Sequence, residues 1–253
     1  MNPNLRKGSR PGLRIASLAL FIIIWQLAAV VVDRQILPGP QQVFFSIVDH
    51  LGQGELIFHL STTLARVLVS FICAMALGVA LGIVMGRNRS WDAALDGVLV
   101  LALNLPALVT IILCYLWFGL GEFAAILAVA INKFPVVVVN MREGARAVDQ
   151  NLLQVAKAFR LDWRKCWFKV YLPQLYPYLL ASARSGLALV WKIVLVVELL
   201  GRSNGVGFQL GIYFQFFDIT SILAYSFSFI AVVMAIEYLL ITPLDRRLMR
   251  WRS

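Results

Sequence analysis

Long apolar stretches alternate with short polar links along almost the whole chain. A helix needs about 20 apolar residues to cross the hydrocarbon core of a bilayer, which is about 30 Å thick. Six stretches meet or approach that length, so the pattern predicts an all-α polytopic membrane protein with six transmembrane helices. The predicted spans lie at about 15–32, 64–85, 98–118, 123–141, 178–200 and 221–241.

Two of these spans contain residues that interrupt a helix. The third includes Asn104 and Pro106, and the fourth includes Asn132, Lys133 and Pro135. Such breaks are tolerated in a membrane where neighbouring helices satisfy the freed backbone groups. We therefore predict helices that pack around a pathway.

Composition supports the membrane assignment and excludes other classes. Of 253 residues, 60% are hydrophobic and 14% are charged, whereas a soluble domain has about 45–50% apolar residues. The net charge of +10 is spread between the apolar stretches, which argues against a nucleic-acid groove. The three cysteines, Cys73, Cys114 and Cys166, lack metal-site spacing, so we expect neither zinc nor a disulfide.

Positive charge predicts the orientation, because Lys and Arg stay on the cytoplasmic side. Only Arg34 and Arg202 lie in the links on the opposite side, whereas seventeen of the 23 Lys and Arg residues fall on one side. We predict that both termini and the 142–177 link are cytoplasmic. The seventeen lie in the tail 1–14, the link 87–89, the segment 142–170 and the tail 246–253.

The longest link on the predicted outer side runs from Asp33 to Ser61. Pro38-Gly39-Pro40 predicts a turn, and Gln41 to Leu51 reads as a short amphipathic helix on the outer face. We expect the two histidines of the chain, His50 and His59, to be polar surface residues.

The segment from Gln154 to Pro173 is basic and amphipathic. Its aromatic and apolar residues recur at helical spacing among five cations, which predicts a helix that lies along a surface and does not span. Such a surface either docks a partner protein or rests on lipid headgroups, and composition alone leaves both open. The apolar set is Phe159, Trp163, Cys166, Trp167 and Val170.

The same segment resembles a known family signature. The segment resembles the cytoplasmic signature of bacterial ABC importer permeases, which reads E-A-A, three residues, Gly, nine residues and I-x-L-P. Here the corresponding residues are Gln154-Val155-Ala156, then three residues, Arg160, nine residues and Val170-Tyr171-Leu172-Pro173. Three further segments resemble motifs of the nitrate, sulfonate and taurine type of permease. They are Leu37-Pro38-Gly39-Pro40 followed by Val43, Trp117 to Glu122, and Val197 to Leu200 with Ser203 to Gly207.

This resemblance implies a type I importer fold, with one permease domain over 15–245 between two cytoplasmic tails, in a bacterial inner membrane. It implies that two short coupling helices in the 142–177 loop dock onto an ATPase subunit, with Phe159, Trp163 and Trp167 forming an exposed apolar patch. The residues implied in coupling are Gln154, Ala156, Phe159, Arg160, Trp163, Trp167, Leu172 and Pro173.

The resemblance also implies the partners. They are two ATP-binding cassette ATPase subunits, a periplasmic or lipid-anchored solute-binding protein, and a second copy of the chain in a homodimer. The sequence contains no G-x-x-x-x-G-K-[ST], so we expect no enzyme activity and no cofactor in this chain. ATP and magnesium are expected in the ATPase.

Two positions depart from the signature. Gln154 replaces Glu, which is a mild change because Gln still accepts a hydrogen bond in a first turn. Arg160 replaces Gly, which permits a turn at positive φ that other residues adopt only with strain. Because Asp162 is a suitable N-cap, we expect the helix break to fall one or two residues after Arg160.

Charged residues in the spans suggest a transport pathway. A Lys at the bilayer centre costs about 2.5–3.5 kcal/mol, and Lys192 in a wet pathway would attract an anion. We take Lys192, Glu198, Trp191 and Asn104 as pathway candidates, with Glu198 more typical of helix packing or gating. Lys192 and Glu198 lie on different faces of one helix, so each needs another partner.

An ion pair between helices, or a side chain extending to the interface, is the alternative for each span cation: Lys192, Arg66, Lys133 and Arg184. A ladder of small residues, Ala74, Gly78 and Gly82, predicts close helix contact, either within one chain or in a dimer.

Two other classes stay open. A secondary transporter would show an inverted repeat or several span acids, and only Glu198 and Glu237 lie clearly in spans. A membrane enzyme would need a metal site richer than the pair Asp92 and Asp96. We favour a permease subunit that imports a small solute, expected to be an anion such as a sulfonate or nitrate, by alternating access.

Overall fold

Helices account for nearly all of the residues that the computed structural model describes, which are 11–32 and 36–243. The all-α fold is therefore confirmed for these residues. Two π-helical turns, Trp167–Tyr171 and Glu237–Ile241, extend the regular helices. The helices are α1 (Pro11–Val31), α2 (Pro40–Gly52), α3 (Glu55–Arg87), α4 (Arg89–Asn104), α5 (Ala107–Phe118), α6 (Glu122–Arg146), α7 (Gln150–Ala158), α8 (Trp163–Cys166), α9 (Leu172–Gly201), α10 (Val206–Gln215) and α11 (Ile219–Ile236).

Four helical runs among the described residues are long and apolar enough to cross a membrane: Glu55–Arg87, Glu122–Arg146, Trp163–Gly201 and Ile219–Leu239. They contain the second, fourth and fifth predicted spans, and the sixth except for its last two residues. The apolar part of α1, Ala16–Val31, is shorter. The chain is thus a multi-pass membrane protein. The predicted tail 246–253, and residues 1–10 of the tail 1–14, lie outside the described residues.

The predicted third span is bent. Instead of one helix over 98–118, α4 and α5 meet at an angle of 99° and give a fifth span if they are counted as one. Leu105 has ψ 123°, outside the helical region, because the ring of Pro106 clashes with a helical conformation of the preceding residue.

The centre of the bundle is α6, which packs between α3 and α9. Gly78, Gly82 and Gly86 of α3 lie against α6 so closely that a Cβ atom on each would come within 2.6–2.7 Å of an α6 side chain. Small residues let helix backbones approach in this way. The predicted ladder therefore packs within one chain, and Gly86 extends it.

The short amphipathic helix predicted at Gln41 to Leu51 is present as α2. Pro40 occupies its first turn, where a missing N–H costs nothing, and the side chain of Gln42 accepts a hydrogen bond from the Gly39 N–H (3.0 Å). α2 packs on α11 near one end of the bundle. We call the end where α3 begins the far end, and the opposite end, where α3 and α6 finish, the loop end.

Candidate functional site: the loop between α6 and α9 and the charged residues of the bundle

The loop between α6 and α9 begins with a capped short helix. The Asp149 carboxylate accepts a hydrogen bond from the Asn151 N–H (2.8 Å) at the start of α7, as an N-cap residue does. Ala156 is buried, whereas Gln154 is exposed beside it. The first of the two short helices expected in this loop is therefore present as α7.

The turn that ends α7 falls at Arg160, which has φ +49°. The Arg160 N–H donates to the Lys157 carbonyl (2.9 Å), and the Leu161 N–H donates to the Ala156 carbonyl (3.0 Å). These two bonds form a Schellman motif, whose left-handed residue is usually glycine. The prediction of a later break is wrong: Asp162 precedes α8, but its side chain makes no capping hydrogen bond.

Replacing Arg160 with glycine should stabilise this turn. The left-handed conformation costs a non-glycine residue about 1–2 kcal/mol, and part of that gain is offset by the greater freedom of glycine in the unfolded loop. We expect hydrogen exchange of the Leu161 amide to slow by about five-fold. Lys157→Gly, inside α7, should have the opposite effect. Faster hydrogen exchange of the Leu161 amide in both variants would contradict the assignment of a left-handed turn at Arg160.

The second short helix expected in the loop is not separate. α8 continues through the π-helical turn Trp167–Tyr171 into α9, so one helical run extends from Trp163 to Gly201. The π turn directly precedes Leu172 and Pro173. Since Pro173 has no N–H to donate to the preceding turn, the widened turn accommodates it.

Gln174 connects the loop to the long helix. Its Nε2 donates to the Val170 carbonyl (2.8 Å), and its Oε1 accepts a hydrogen bond from the Asp149 N–H (2.8 Å). One side chain thus joins the start of α7 to α9. The sequence analysis did not single out Gln174. Its position directly after Pro173, where backbone groups lack helical partners, is a signal for a side chain that bonds to the backbone.

The loop carries an exposed apolar surface. Phe159 is 78% exposed and Trp163 is 69% exposed. A group of exposed apolar residues is typical of a surface that binds a partner. We call this set the apolar loop surface; it consists of Leu152, Val155, Phe159, Leu161 and Trp163.

Trp167 does not belong to the apolar loop surface, which corrects the expectation of an exposed Trp167. Its ring stacks on Tyr171 with centroids 4.7 Å apart. The Arg87 guanidinium lies 5.5 Å from the Trp167 ring and 5.2 Å from the Tyr171 ring, within the range of a cation–π interaction. Trp167 therefore anchors the loop to the end of α3, beside a cavity of about 820 Å³.

Arg66 organises the far end of the bundle. It is 3% exposed and donates to Glu198 (2.7 Å), to both oxygens of Glu122 (2.5 and 2.8 Å) and to the Asn204 carbonyl (2.8 Å). A bidentate arginine–carboxylate pair of this kind is directional and strong. The ion-pair alternative for Arg66 is confirmed.

Glu198 is fully buried and has no unused oxygen. Besides Arg66, it lies 2.9 Å from the Thr63 hydroxyl and accepts a hydrogen bond from the Gly207 N–H (2.9 Å). The α9–α10 connection is therefore held against α3 by one carboxylate. This geometry favours the packing interpretation of Glu198 over a place on an open pathway.

The histidines are not surface residues, so that prediction is wrong. His59 is buried; its Nδ1 accepts a hydrogen bond from the Gly205 N–H (2.9 Å), and its Nε2 lies 2.7 Å from the side-chain amide of Gln209. His50 is half-buried with its Nε2 3.2 Å from the Ser221 hydroxyl. Both join the helices of the far end.

The four pathway candidates do not come together. Lys192 is exposed on α9, whereas its neighbour Trp191 is buried and packs edge-on against Phe229 (5.9 Å between centroids). Asn104 is exposed at the end of α4 and donates to the Val100 carbonyl (2.8 Å). Of the candidates on α9, only Lys192 lies on its uncovered face.

Two arginines near the end of α6 form ion pairs with acids of α4. Arg142 binds Asp96 (2.6 Å) and lies 3.3 Å from Asp92, and Arg146 contacts Asp92 as well. These ion pairs fasten α4 to α6.

Comparison with known proteins settles the family. Residues 78–250 match the family described as binding-protein-dependent transport system inner membrane component. The chain belongs to this family. The predicted resemblance to ABC importer permeases is therefore confirmed.

Relatives of this permease family cover nearly the whole chain. One, from Bacillus subtilis (strain 168), bears the name of an aliphatic sulfonates transport permease, SsuC; it is 32% identical over 93% of this chain and 86% of its own length. The taurine transport system permease protein TauC of Escherichia coli (strain K12) is 29% identical over 95% of this chain and 90% of its own length.

The fold of the permease family is also found in a solved transporter. A chain from the inward-facing MetNI methionine ABC transporter aligns with a TM-score of 0.66 and 17% identity, over 78% of this chain and 98% of that chain. At this identity the likeness establishes the fold alone. The sequence relatives thus identify an ABC importer permease of the sulfonate and taurine type, and the structure shows a fold of the same kind as the MetNI permease chain.

Proposed function

We propose that this chain is the membrane-spanning subunit of an ATP-driven importer that carries an anionic solute of the sulfonate class into the cytoplasm by alternating access. In this proposal α1 is the first span and the bent pair of α4 and α5 is the third, which gives six. Two copies would enclose the pathway in a bacterial inner membrane. A solute-binding protein would deliver the substrate.

The observation that carries the proposal is the apolar loop surface on a turn with fixed geometry. Phe159 and Trp163 flank the Schellman turn at Arg160, and both rings are exposed. Aromatic side chains of this kind are the usual anchors of a protein interface. The excess of Lys and Arg at the loop end supports a cytoplasmic position, where an ATPase subunit would bind.

The connection from the loop to the spans supports mechanical coupling. The helical run that begins at Trp163 is 39 residues long and ends at Gly201. Gln174 fastens α7 to it near one end, and Glu198 fastens it to Arg66 near the other. A displacement of the loop by ATP binding would therefore move α9 as one element, as alternating access requires.

Lys192 supports an anionic substrate. It lies near the middle of α9 on a face that no other part of the described chain covers. A lysine at that depth is too costly to face lipid and is typically turned towards a partner or a water-filled cavity. We infer that this face of α9 lines the pathway between two copies. The names of SsuC and TauC, which refer to sulfonates and taurine, agree with an anion.

Replacing Lys192 with methionine should reduce uptake strongly. A cation 4 Å from an anion contributes about 4 kcal/mol near a protein surface, and partial hydration leaves a loss of at least about ten-fold in kcat/KM. The measurement is ATP-driven uptake into proteoliposomes that contain the permease and its ATPase. The substrate is the sulfonate that most stabilises the cognate binding protein against heat.

The matched control for Lys192→Met is Leu189→Met, on the same exposed face and one turn away. We expect it to transport at the wild-type rate. Unchanged affinity and rate in Lys192→Met would remove Lys192 from the pathway. Uptake that proceeds without ATP, or without the ATPase, would refute the proposed function as a whole.

A further inference from the structure

Lys133 is a buried cation that takes no part in the ion pairs of the far end or in the loop between α6 and α9. Its side chain is 1% exposed, and its Nζ has no hydrogen-bond partner among the described residues. The amine lies against Gly186 of α9, where a Cβ atom would overlap the Lys133 Cε and Nζ atoms. Glycine at this position therefore makes room for the lysine between α6 and α9.

No carboxylate in the spans is left to pair with Lys133. The two acids that lie clearly in predicted spans are Glu198 and Glu237. Glu198 binds Arg66, and Glu237 lies 3.7 Å from Arg184. A buried charge without a partner is strongly disfavoured. The present packing of α9 over Lys133 is thus less favourable than one that admits water or an anion.

We infer that the contact between Lys133 and α9 is the one that opens, because α9 continues from the loop. On the other side, α6 is held to α3 by the glycine ladder, in which Val137 lies directly against Gly78. On the α9 side, Gly186 lies directly against the lysine. Ser182, one turn before Gly186, is buried, and its hydroxyl also has no partner among the described residues. α9 is also the helix that continues from the loop.

We propose that Lys133 is a second cationic contact for the transported anion, covered by α9 at Gly186 in this conformation and opened to the pathway when α9 moves. The inference rests on the proposed function and extends it. Lys192 attracts the anion on the uncovered face of α9. Lys133, with the Ser182 hydroxyl as a further donor, receives it in the open conformation.

Thiol labelling in the assembled transporter tests this inference. Cys73, Cys114 and Cys166 are replaced by alanine, and Lys133→Cys is introduced. The permease is reconstituted with its ATPase and treated with 2-sulfonatoethyl methanethiosulfonate, a small anionic reagent. We expect labelling of Cys at this position to differ by at least about ten-fold between nucleotide-free complex and complex trapped with ATP and vanadate.

The matched control is Val137→Cys, one turn further along α6 and sealed against α3; it should stay unreactive in both states. Ser182→Cys, a nearly isosteric change on the α9 side, should show the same state dependence as Lys133→Cys. In the reactive state, the ratio of labelling by the anionic reagent to labelling by 2-(trimethylammonium)ethyl methanethiosulfonate, its cationic counterpart, should exceed the ratio that the two reagents give with a free thiol, because Lys192 remains in the pathway.

The outcomes separate this inference from the proposed function. One outcome would overturn the role of Lys133 alone. It is a complex that still transports, but in which the cysteines of Lys133→Cys and Ser182→Cys are as unreactive in both states as the cysteine of Val137→Cys. A ratio of anionic to cationic labelling no higher than that of a free thiol would overturn the role of Lys192 in the pathway. Both proposals would be overturned if neither the wild type nor the parent without its three cysteines showed ATP-driven uptake, although both assembled with the ATPase.

Discussion

Phe159→Asp should abolish ATP-driven uptake while leaving the permease folded and inserted in the membrane. Phe159 is 78% exposed, so the free chain tolerates a carboxylate there. Bound to an ATPase, the same position would bury an unpaired charge and lose an aromatic anchor, which together cost at least about 2–4 kcal/mol at an interface. That cost weakens ATPase binding by at least about thirty-fold.

The measurement is the affinity of the purified ATPase for the permease in detergent, together with uptake by proteoliposomes. Phe159→Leu, which keeps the apolar surface, is the matched control and should bind nearly as well as the wild type. Trp163→Asp should reproduce the defect of Phe159→Asp. An undiminished affinity in both aspartate variants would exclude the apolar loop surface as the docking site.

Trp167→Ala is expected to act differently from these variants. Its ring is stacked on Tyr171 and covered by Arg87, so its loss loosens the loop from α3 and leaves the apolar loop surface intact. We expect lower thermal stability of the loop and a partial loss of coupling, in place of the complete loss expected had Trp167 been exposed. Hydrogen exchange across Trp163–Tyr171 distinguishes a Trp167 that anchors the loop from an exposed Trp167. Faster exchange in Trp167→Ala indicates the anchor, and unchanged exchange indicates an exposed side chain.

Arg66→Met should produce the largest loss of stability among single substitutions in the bundle. It leaves Glu198 charged, completely buried and without its cation, and breaking a buried ion pair from one side costs about 3–5 kcal/mol. For a chain of this size that loss lowers the Tm by about 10 °C. The measurement is thermal unfolding in detergent followed by tryptophan fluorescence.

Glu198→Gln should cost less than Arg66→Met, because Arg66 keeps its two bonds to Glu122 and glutamine still accepts from Gly207. Arg89→Met, an exposed cation at the loop end, is the control and should change stability by no more than about 0.5 kcal/mol. An equally small change in Arg66→Met would mean that the buried pair contributes no stability at the far end.

Hydropathy predicted the spans because a bilayer imposes one length and one polarity on every crossing helix. Four of the six predictions coincide with long helical runs. The 99° bend between α4 and α5 did not follow from the sequence. Pro106 marks the position of the break, but its angle depends on how α4 and α5 pack against the rest of the bundle, which no local pattern records.

Pairing between distant residues was the other limit. The sequence indicated that Arg66 and Glu198 needed partners, but these residues are separated by 132 positions, and hydrophobic periodicity does not specify which charges meet. The burial of His59 was missed for the same reason, because its partners lie on the α9–α10 connection and on α10.

At Arg160 a local rule gave a wrong prediction, namely that the helix break falls after this residue. A large cationic residue made a left-handed turn unfavourable on propensity alone. The Schellman hydrogen bonds at Arg160 and Leu161 nevertheless hold that geometry, because the start of α8 and the anchored Trp167 fix where the chain must go. Family spacing predicted the position of this turn better than the residue type did.

The most direct test of the account is native mass spectrometry of the gently solubilised chain, co-expressed with the products of its neighbouring genes. We predict a complex of two copies of this chain with two P-loop ATPases, which falls apart when Phe159 is replaced with aspartate. A bare dimer or a single chain, under conditions that preserve a known importer complex, would contradict the coupling role of the loop. A secondary transporter would then become the better description.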